Sequence, residues 1–265
     1  GAGMTVNGAV LTVDPSDATY QSLGEGETTE IVVNFDVVDV SGGSVPQTAT
    51  ITIAGTNDAP TVAAALSASA AEDSAAFTVD LLAGASDVDD GEAVTLSVAN
   101  VTGLGAGMTV NGAVLTVDPS DAAYQSLGEG ETTEIVVSFD VVDVHGAKVA
   151  QTVAVTITGA NDAPETAAVS ASGDEDAVSI AIALSGSDVD ANDGVAQFRI
   201  TGLPANGTLY GDEALTAALA VDATVAASGN AATVYFKPTA DWSGDTSFNY
   251  AAIDDTGAED PRSEE

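Results

Sequence analysis

Cysteine is absent from this 265-residue chain, and basic residues are almost absent: four lysines and arginines face 41 acidic residues. Without cysteine, the chain can form neither disulfides nor a thiolate metal site. Its formal net charge of −37 disfavours binding to nucleic acid and to anionic membrane surfaces. No apolar run approaches the roughly 18 residues of a membrane span, so direct membrane insertion is not expected.

Hydrophobic residues nevertheless make up 45% of the chain, and they alternate with polar residues as in β-strands. Disordered acidic tails do not show this pattern, so the sequence predicts a folded protein. A compact chain with this much negative charge repels itself unless cations neutralise part of it. For a chain without disulfides, calcium is the cation that best suits many hard carboxylate oxygens.

The chain contains an internal repeat. Residues 1–61 align without gaps to residues 105–165, and each copy ends in Gly-x-Asn-Asp-Ala-Pro, at 55–60 and at 159–164. The spacing predicts three domains and an internal fragment of a longer protein. Residues 1–60 are the C-terminal part of a truncated repeat, 61–164 form a complete repeat, and 165–265 form a divergent repeat that lacks its last strand.

About seven short strands fit into the complete repeat, separated by turn signals such as Asn111-Gly112 and Asp118-Pro119. No amphipathic helix longer than one turn is predicted. This number of strands in about 100 residues indicates an Ig-like antiparallel β-sandwich. The predicted strands lie near 62–69, 75–86, 93–101, 108–110, 113–117, 133–144 and 148–158.

Acidic residues cluster at the turns between these strands. In an Ig-like sandwich the A–B and E–F turns lie at one pole and the B–C and F–G turns at the other, so turns of successive repeats meet at the linker. At the linker 57–60 the predicted metal ligands are Glu25, Glu27, Asn57, Asp58, Asp87, Asp89, Asp90 and Asp143. At the linker 161–164 they are Glu72, Asp73, Glu129, Glu131, Asn161, Asp162, Asp188, Asp190, Asp193 and Asp255.

Carboxylates gathered at this density do not all ionise cheaply without a counter-ion, and calcium takes about 6 to 8 oxygen ligands. The alternative interpretation is a set of solvated acidic loops that only keep the surface soluble. An EF-hand is excluded, because Asp193 stands where its loop requires glycine and Arg199 stands where it requires a bidentate glutamate.

Taken together, the Glu72-Asp73 pair, Gly-Glu-Gly-Glu at 128–131, the Asn-Asp-Ala-Pro linkers and Asp-Val-Asp-Asp at 87–90 resemble the calcium-binding plan of cadherin repeats. The repeats themselves resemble the tandem cadherin-like (VCBS-type) repeats of giant bacterial RTX adhesins secreted by the type I system. This resemblance implies an all-β chain of tandem Ig-like, cadherin-like antiparallel sandwiches arranged as an elongated rod. The linkers have Ala-Pro where animal cadherins have a second acidic residue, which implies fewer ions per junction.

The resemblance also implies a function. The chain would be a calcium-rigidified extender that holds an adhesive tip away from the bacterial cell surface during attachment and biofilm formation. Its implied location is extracellular and its implied partners are the neighbouring repeats of the same chain, whereas the ligand of the tip is not indicated.

Two other functions compete with that of an extender. The third domain could be a calcium-dependent module that binds a sugar or a peptide next to Trp242. Paired carboxylates could hydrolyse glycosides, but they recur at each linker, which suits a repeated structural task. The single histidine, His145, is replaced by Ser41 in the other copy, which disfavours a histidine-based catalytic site. We therefore predict no enzymatic activity.

Overall fold

The computed structural model describes residues 3–91 and 95–261. Regular structure in these residues is β-strand, apart from one 3-10 turn at Ala18–Tyr20. None of their helices is long and apolar enough to cross a membrane. The chain divides into two compact units, the first made of Gly1–Ala68, Phe77–Val117 and Glu134–Val155, and the second of Ser69–Ala76, Asp118–Thr133 and Thr156–Glu265.

The first unit begins with two antiparallel hairpins. Gly8 follows Asn7 with a φ of +62°, which suits the tight Asn-Gly turn of the first hairpin. The strands of these hairpins are β1 (Met4–Asn7), β2 (Val10–Val13), β3 (Thr28–Val38) and β4 (Ser44–Ala54). β1 pairs with β2, and β3 pairs with β4 along eleven residues.

A β-sandwich follows in sequence, and the boundary between the units falls inside three of its strands. It comprises β5 (Thr61–Val62), β6 (Leu66–Ala71), β7 (Phe77–Asp80), β8 (Ala85–Ser86), β9 (Ser97–Thr102), β10 (Met108–Asn111), β11 (Val114–Val117), β12 (Thr132–Val142) and β13 (Lys148–Thr158). One sheet has the order β6-β13-β12-β9, the other β10-β11-β7, and β5 pairs with β8. Alternate residues such as Val137, Phe139 and Val141 are buried, because successive side chains of a strand point to opposite faces.

The second unit contains a further sandwich with two sheets. Their orders are β14-β15-β19-β17 and β18-β16-β20. The strands are β14 (Glu165–Ala167), β15 (Ile180–Ser187), β16 (Val195–Ile200), β17 (Gly207–Tyr210), β18 (Thr224–Ala226), β19 (Ala231–Pro238) and β20 (Tyr250–Asp254). Its core includes Leu184, Val234 and Phe198, and the Phe198 ring meets the Tyr250 ring edge-on at 5.7 Å between centroids.

The predicted all-β class and the Ig-like sandwiches are confirmed, but two predicted strands are interrupted. The strand predicted over 62–69 divides into β5 and β6, which pair with different sheets. The strand predicted over 75–86 divides into β7 and β8 around a turn that contains Gly84, whose φ is +73°. Hydrophobic alternation misses such breaks because apolar residues continue through them in the sequence, as in Leu81-Leu82-Ala83.

The other predicted strands agree with the structure to within a few residues. The predicted third strand begins at residue 93, outside the described residues, and β9 begins at Ser97. The polar end of the chain, residues 262–265, also lies outside them. The division into repeats at 60/61 and 164/165 stays a prediction.

Candidate metal centre

The linker after β13 joins two acidic turns through its asparagine. Asn161 Nδ2 donates to the Asp254 carboxylate, Oδ2, at 2.9 Å and to the Asp162 carbonyl at 2.9 Å. Asp254 ends β20, and its other oxygen, Oδ1, accepts bonds from the Gly257 amide at 2.6 Å and from the Ala258 amide at 2.8 Å. The linker is therefore tied to the turn that follows β20.

A second acidic turn follows β15. The Asp190 amide donates to Asp188 Oδ1 at 3.0 Å, a local side-chain to backbone bond that orients both carboxylates. The Asp162 amide donates to Asp190 Oδ2 at 3.0 Å. As a result, the linker backbone contacts the same Asp-x-Asp turn that the sequence marks.

Glu72 reaches the linker from the turn after β6. Its side chain is fully buried, and Oε1 accepts a bond from the Ala160 amide at 2.7 Å. Its own amide donates to the Thr158 carbonyl at 3.0 Å, which holds the turn against the end of β13. A fully buried glutamate with only one of its oxygens bonded is costly unless something else neutralises it.

Two groups of carboxylates result, both within the second unit. We call Glu72, Asp162 and Asp190 the Glu72 cluster, and Asp188, Asp193 and Asp254 the Asp188 cluster. In each cluster, one oxygen from each carboxylate lies within 4.8 Å of the other two. Oxygens bound to one calcium ion at about 2.3 to 2.6 Å are at most about 5 Å apart, so each cluster has the dimensions of an ion site.

The first unit repeats this arrangement around the other linker. Asn57 Nδ2 donates to Asp143 Oδ2 at 2.9 Å, and the Asp58 amide donates to Asp89 Oδ2 at 2.9 Å. The Asp89 amide in turn bonds Asp87 Oδ1 at 3.1 Å. Among the described residues, Glu72 is the only buried glutamate, and none of the first unit's glutamates is buried in this way. The two arrangements therefore share their aspartates but differ in the buried glutamate.

Buried polar atoms without a hydrogen-bond partner concentrate in these two places. Nine such side-chain atoms occur in the part of the chain that the structure describes, and seven of them are oxygens of predicted ligands: Asn57 Oδ1, Glu72 Oε2, Asp87 Oδ2, Asp89 Oδ1, Asp162 Oδ2, Asp188 Oδ2 and Asp190 Oδ1. Buried polar atoms are normally paired, and oxygens alone are what a hard cation requires. The residues therefore fit a calcium ion.

Two side-chain cations, Lys148 and Arg199, pair with acidic residues outside the clusters. Lys148 Nζ contacts Asp140 at 2.7 Å, and Arg199 pairs with Asp222 and Glu259. None of these three acidic residues belongs to a cluster. The negative charge of the clusters is therefore not balanced by Lys148 or Arg199.

The electrostatics of the second-unit clusters reflect this imbalance. Burial raises the pKa of Glu72, Asp162 and Asp188, and neighbouring carboxylates raise each of them further. For Asp143 and Asp254, burial acts in the same direction, but hydrogen bonds from asparagine side chains and turn amides outweigh it and lower the pKa. The first three carboxyls are the ones that most need a counter-ion.

For the metal-free protein, we predict that the melting temperature rises as the pH falls from neutral toward the ordinary carboxyl range of about pH 4. Glu72, Asp162 and Asp188 have raised folded-state pKa values, so their stabilising contribution is complete below the ordinary carboxyl range of about pH 4 and is lost as the pH rises through the raised values. Asp143 and Asp254 act oppositely, since their contribution is lost only as the pH falls through their lowered pKa values.

Melting curves in metal-free buffer at several pH values check this expectation. With saturating calcium the slope should reverse, because carboxylates must lose their protons to bind the ion. A metal-free melting temperature that falls steadily on acidification from about pH 7 would show that the raised carboxyls do not control stability.

Several predicted ligands lie outside the two clusters. Glu131 accepts bonds from Asn192 Nδ2 and from the Gly128 amide, and Glu27 accepts one from the Gly24 amide at 3.2 Å. Glu25 Oε2 lies 3.2 Å from His145 Nδ1. Asp90 Oδ2 bonds Ser22 Oγ at 3.4 Å, while Asp73 and Glu129 are exposed. The structure groups none of these residues with the two clusters.

Sequence reasoning missed Asp254 and named its neighbour Asp255. Asp255 is exposed, and its pKa is raised by a hydrogen bond and by charge repulsion from Asp193. The spacing to the following glycine distinguishes Asp254 from Asp255, because Asp143 and Asp254 each stand three residues before a turn glycine, Gly146 and Gly257. The amides of both turns bond the aspartate in the same way.

A family match and one solved structure with a TM-score above 0.5 support the fold. Residues 57–156 match a family model described as Bacterial Ig domain, and no curated protein matched the chain. Human CDH23 EC21-23 is 13% identical, with a TM-score of 0.56 over 98% of this chain and 80% of that one. Mouse Protocadherin-24 EC1-3 is 15% identical, with a TM-score of 0.45 over 99% and 85%. Four domains of Protocadherin Gamma B7 are 11% identical, with a TM-score of 0.43 over 90% of this chain and 66% of that one.

Proposed function

We propose that this chain is a calcium-rigidified extender segment of a bacterial cell-surface adhesin. Ig-like, cadherin-like domains are adhesion-type modules, and the resemblance of the motifs to those of RTX adhesins supports an extracellular spacer that serves attachment and biofilm formation. The observation that carries the proposal is the pair of carboxylate clusters at the linker 161–164, each of which brings one oxygen from three acidic residues within 4.8 Å of one another.

The origin of the cluster residues explains how an ion would stiffen the chain. Glu72 precedes the linker in sequence, Asp162 belongs to it, and Asp190 follows it. An ion held by all three would join the repeat predicted at 61–164 to the repeat predicted at 165–265. Without the ion, the same carboxylates repel one another and favour separation.

Calcium suits this site better than magnesium does. The clusters offer several carboxylate oxygens from different turns, and calcium accepts 6 to 8 oxygens in flexible geometry. Magnesium demands near-octahedral geometry and gives up its water reluctantly. Millimolar calcium outside the cell is enough for sites of modest affinity.

The proposal is tested by small-angle X-ray scattering of the full chain with calcium and after chelation. Each repeat should add about 35 to 40 Å of length, given strands of about 10 to 12 residues at roughly 3.4 Å per residue. We expect the maximum dimension to decrease when calcium is removed, because the linker then samples bent conformations.

The variant Asp162→Ala supplies the control at the linker itself. It should shorten the maximum dimension in the presence of calcium, while circular dichroism shows that the β-structure is retained. A scattering curve that is the same with calcium and with chelator would refute the extender mechanism. Unfolding of a domain by Asp162→Ala would show instead that the linker belongs to a core.

A further inference from the structure

The linker 161–164 and the strand that follows it are fastened to the end of β20 at two levels, and only the first level lies in a carboxylate cluster. At that level Asn161 Nδ2 donates to Asp254 Oδ2 at 2.9 Å. At the second level the Thr166 amide, two residues after the linker, donates to Asp260 Oδ2 at 2.7 Å. Asp260 is buried and belongs to neither cluster, so the proposed ion sites do not account for its burial.

Thr166 and Asp260 belong to a buried hydrogen-bond network between the two sheets of this sandwich. Thr166 lies on β14, in the sheet β14-β15-β19-β17, and its Oγ1 accepts the Ala252 amide of β20, in the other sheet, at 2.8 Å. The Asp260 amide donates to the Ala252 carbonyl at 3.0 Å. Three hydrogen bonds therefore join Thr166, Ala252 and Asp260 and hold β14 against β20.

The chain segment that ends in Asp260 also orients Asp254. Asp254 Oδ1 accepts the amides of Gly257 and Ala258, and the Asp254 amide donates to the Ala258 carbonyl at 3.0 Å. Asp260 follows Ala258 by two residues. The network therefore sets the position of the turn that carries Asp254 relative to the strand that continues from Asn161.

The sandwich formed by β5–β13 has valines at the corresponding positions. Counted from the linker asparagine, Thr166 corresponds to Val62, and counted from the turn aspartate, Asp260 corresponds to Val149. Both valines are half-buried. An apolar pair at these positions is therefore compatible with a sandwich of this kind, so the fold itself does not require the threonine and the aspartate.

A buried carboxylate is a costly way to hold two strands together. Removing a charge from water is unfavourable, and replacing buried polar groups by apolar side chains of similar volume often leaves stability unchanged or higher. A hydrogen bond adds direction, because it fixes the distance and the angle between donor and acceptor, whereas an apolar contact does not. The burial of Asp260 is therefore better explained by the geometry that it imposes than by stability.

We propose, on the basis of the proposed calcium-binding function, that Asp260 is a positioning residue for the Asp188 cluster. By holding the Thr166 amide, Asp260 fixes where the linker presents Asn161, and Asn161 holds Asp254 at the cluster. A calcium ion then meets ligands that are already in place, so less ordering accompanies binding. Groups that orient metal ligands without touching the metal change metal affinity by about 10- to 100-fold.

The test replaces the network by the two valines of the other sandwich. Calcium is titrated calorimetrically into the metal-free full chain with and without Thr166→Val/Asp260→Val, and both proteins carry Asp89→Asn to weaken the first unit's site. We expect the valine variant to bind calcium about tenfold more weakly. Its urea midpoint without metal should stay at or above that of the reference, because the apolar pair fits such a sandwich. A merely structural role of Asp260 would change the urea midpoint and leave the calcium affinity unchanged.

The variant Asp260→Asn separates positioning from charge. Asparagine keeps an acceptor oxygen for the Thr166 amide but has no negative charge, so its calcium affinity should stay within about twofold of the reference. Hydrogen exchange of the metal-free proteins supplies a measurement that does not involve calcium. Exchange in residues 161–167 should be faster in the valine variant and unchanged in Asp260→Asn.

Three results overturn the proposal. The first is equal calcium affinity of the valine variant and the reference. The second is an equal loss of affinity in Asp260→Asn, which would show that the charge of Asp260 attracts the ion from a distance. The third is unchanged exchange in residues 161–167 of the valine variant. A reference chain that binds no calcium would instead refute the proposed function, and the role of Asp260 with it.

Discussion

Calcium should raise the melting temperature of the chain by on the order of 10 °C, whereas magnesium or sodium at the same ionic strength should raise it only slightly. A ligand at a hundredfold excess over its dissociation constant stabilises the fold by about 2.7 kcal/mol, and about 1 kcal/mol shifts the melting temperature of a domain by several degrees. The physical reason is the group of seven buried, unpartnered oxygens, which the ion would bond and neutralise.

The two linkers should respond at different calcium concentrations. The second unit offers the fully buried Glu72 in addition to its aspartates, whereas no glutamate is buried among the described residues of the first unit. Affinity for calcium increases with the number of charged ligands. Calorimetric titration of the metal-free chain should therefore show a tighter class of site, removed by Asp190→Asn, and a weaker class, removed by Asp89→Asn.

Each of these variants serves as the control for the other, because Asp89 and Asp190 make the same bond to the linker amide in their own units. Stabilisation of equal size by sodium would contradict the prediction, since it would mean that general charge screening acts rather than a site. A single class of site that survives both substitutions would contradict it as well.

Most of the strands can be predicted from the sequence because apolar and polar residues alternate along them. The internal repeat also predicts a repeated arrangement, and the bonds from Asn57 to Asp143 and from Asn161 to Asp254 are both 2.9 Å long. Pairing partners are less predictable. The predicted first strand of the complete repeat divides into β5, which pairs with β8, and β6, which pairs with β13. Which partner each part takes depends on contacts distant in sequence, and a local pattern does not contain them.

The sequence indicates which turns carry the candidate ligands but not which of their oxygens face one another. Sequence marked the turn after β20, yet Asp255 and Asp254 look equally suitable until the hydrogen bonds of the turn are known. It also marked Glu72 and Asp73 together, although only Glu72 is buried. Which carboxylate of a pair points inward depends on the register of the turn, and acidic residues in loops do not reveal that register.

Replacing Glu72 by glutamine should have opposite effects on stability in the two metal states. Glutamine has nearly the same shape as glutamate, and its carbonyl oxygen can still accept the bond from the Ala160 amide. In metal-free buffer the variant should be more stable than the wild type, because a buried charge beside Asp162 and Asp190 is removed. In calcium it should be less stable, because a charged ligand is lost.

The expected loss of calcium affinity is roughly hundredfold, or about 2.7 kcal/mol. The matched control is Glu134→Gln, which removes the same charge from an exposed position on β12 and should change neither state appreciably. Urea unfolding of the wild type and of each variant, with calcium and with chelator, measures the stability difference in both metal states. If glutamine lowers stability in both states, Glu72 acts mainly through its hydrogen bond. If it raises stability in both, Glu72 is only a buried charge and the cluster holds no ion. A metal centre at Glu72 therefore requires that Glu72→Gln raise the stability without calcium and lower it with calcium. Neither simpler role of the residue produces this change of sign.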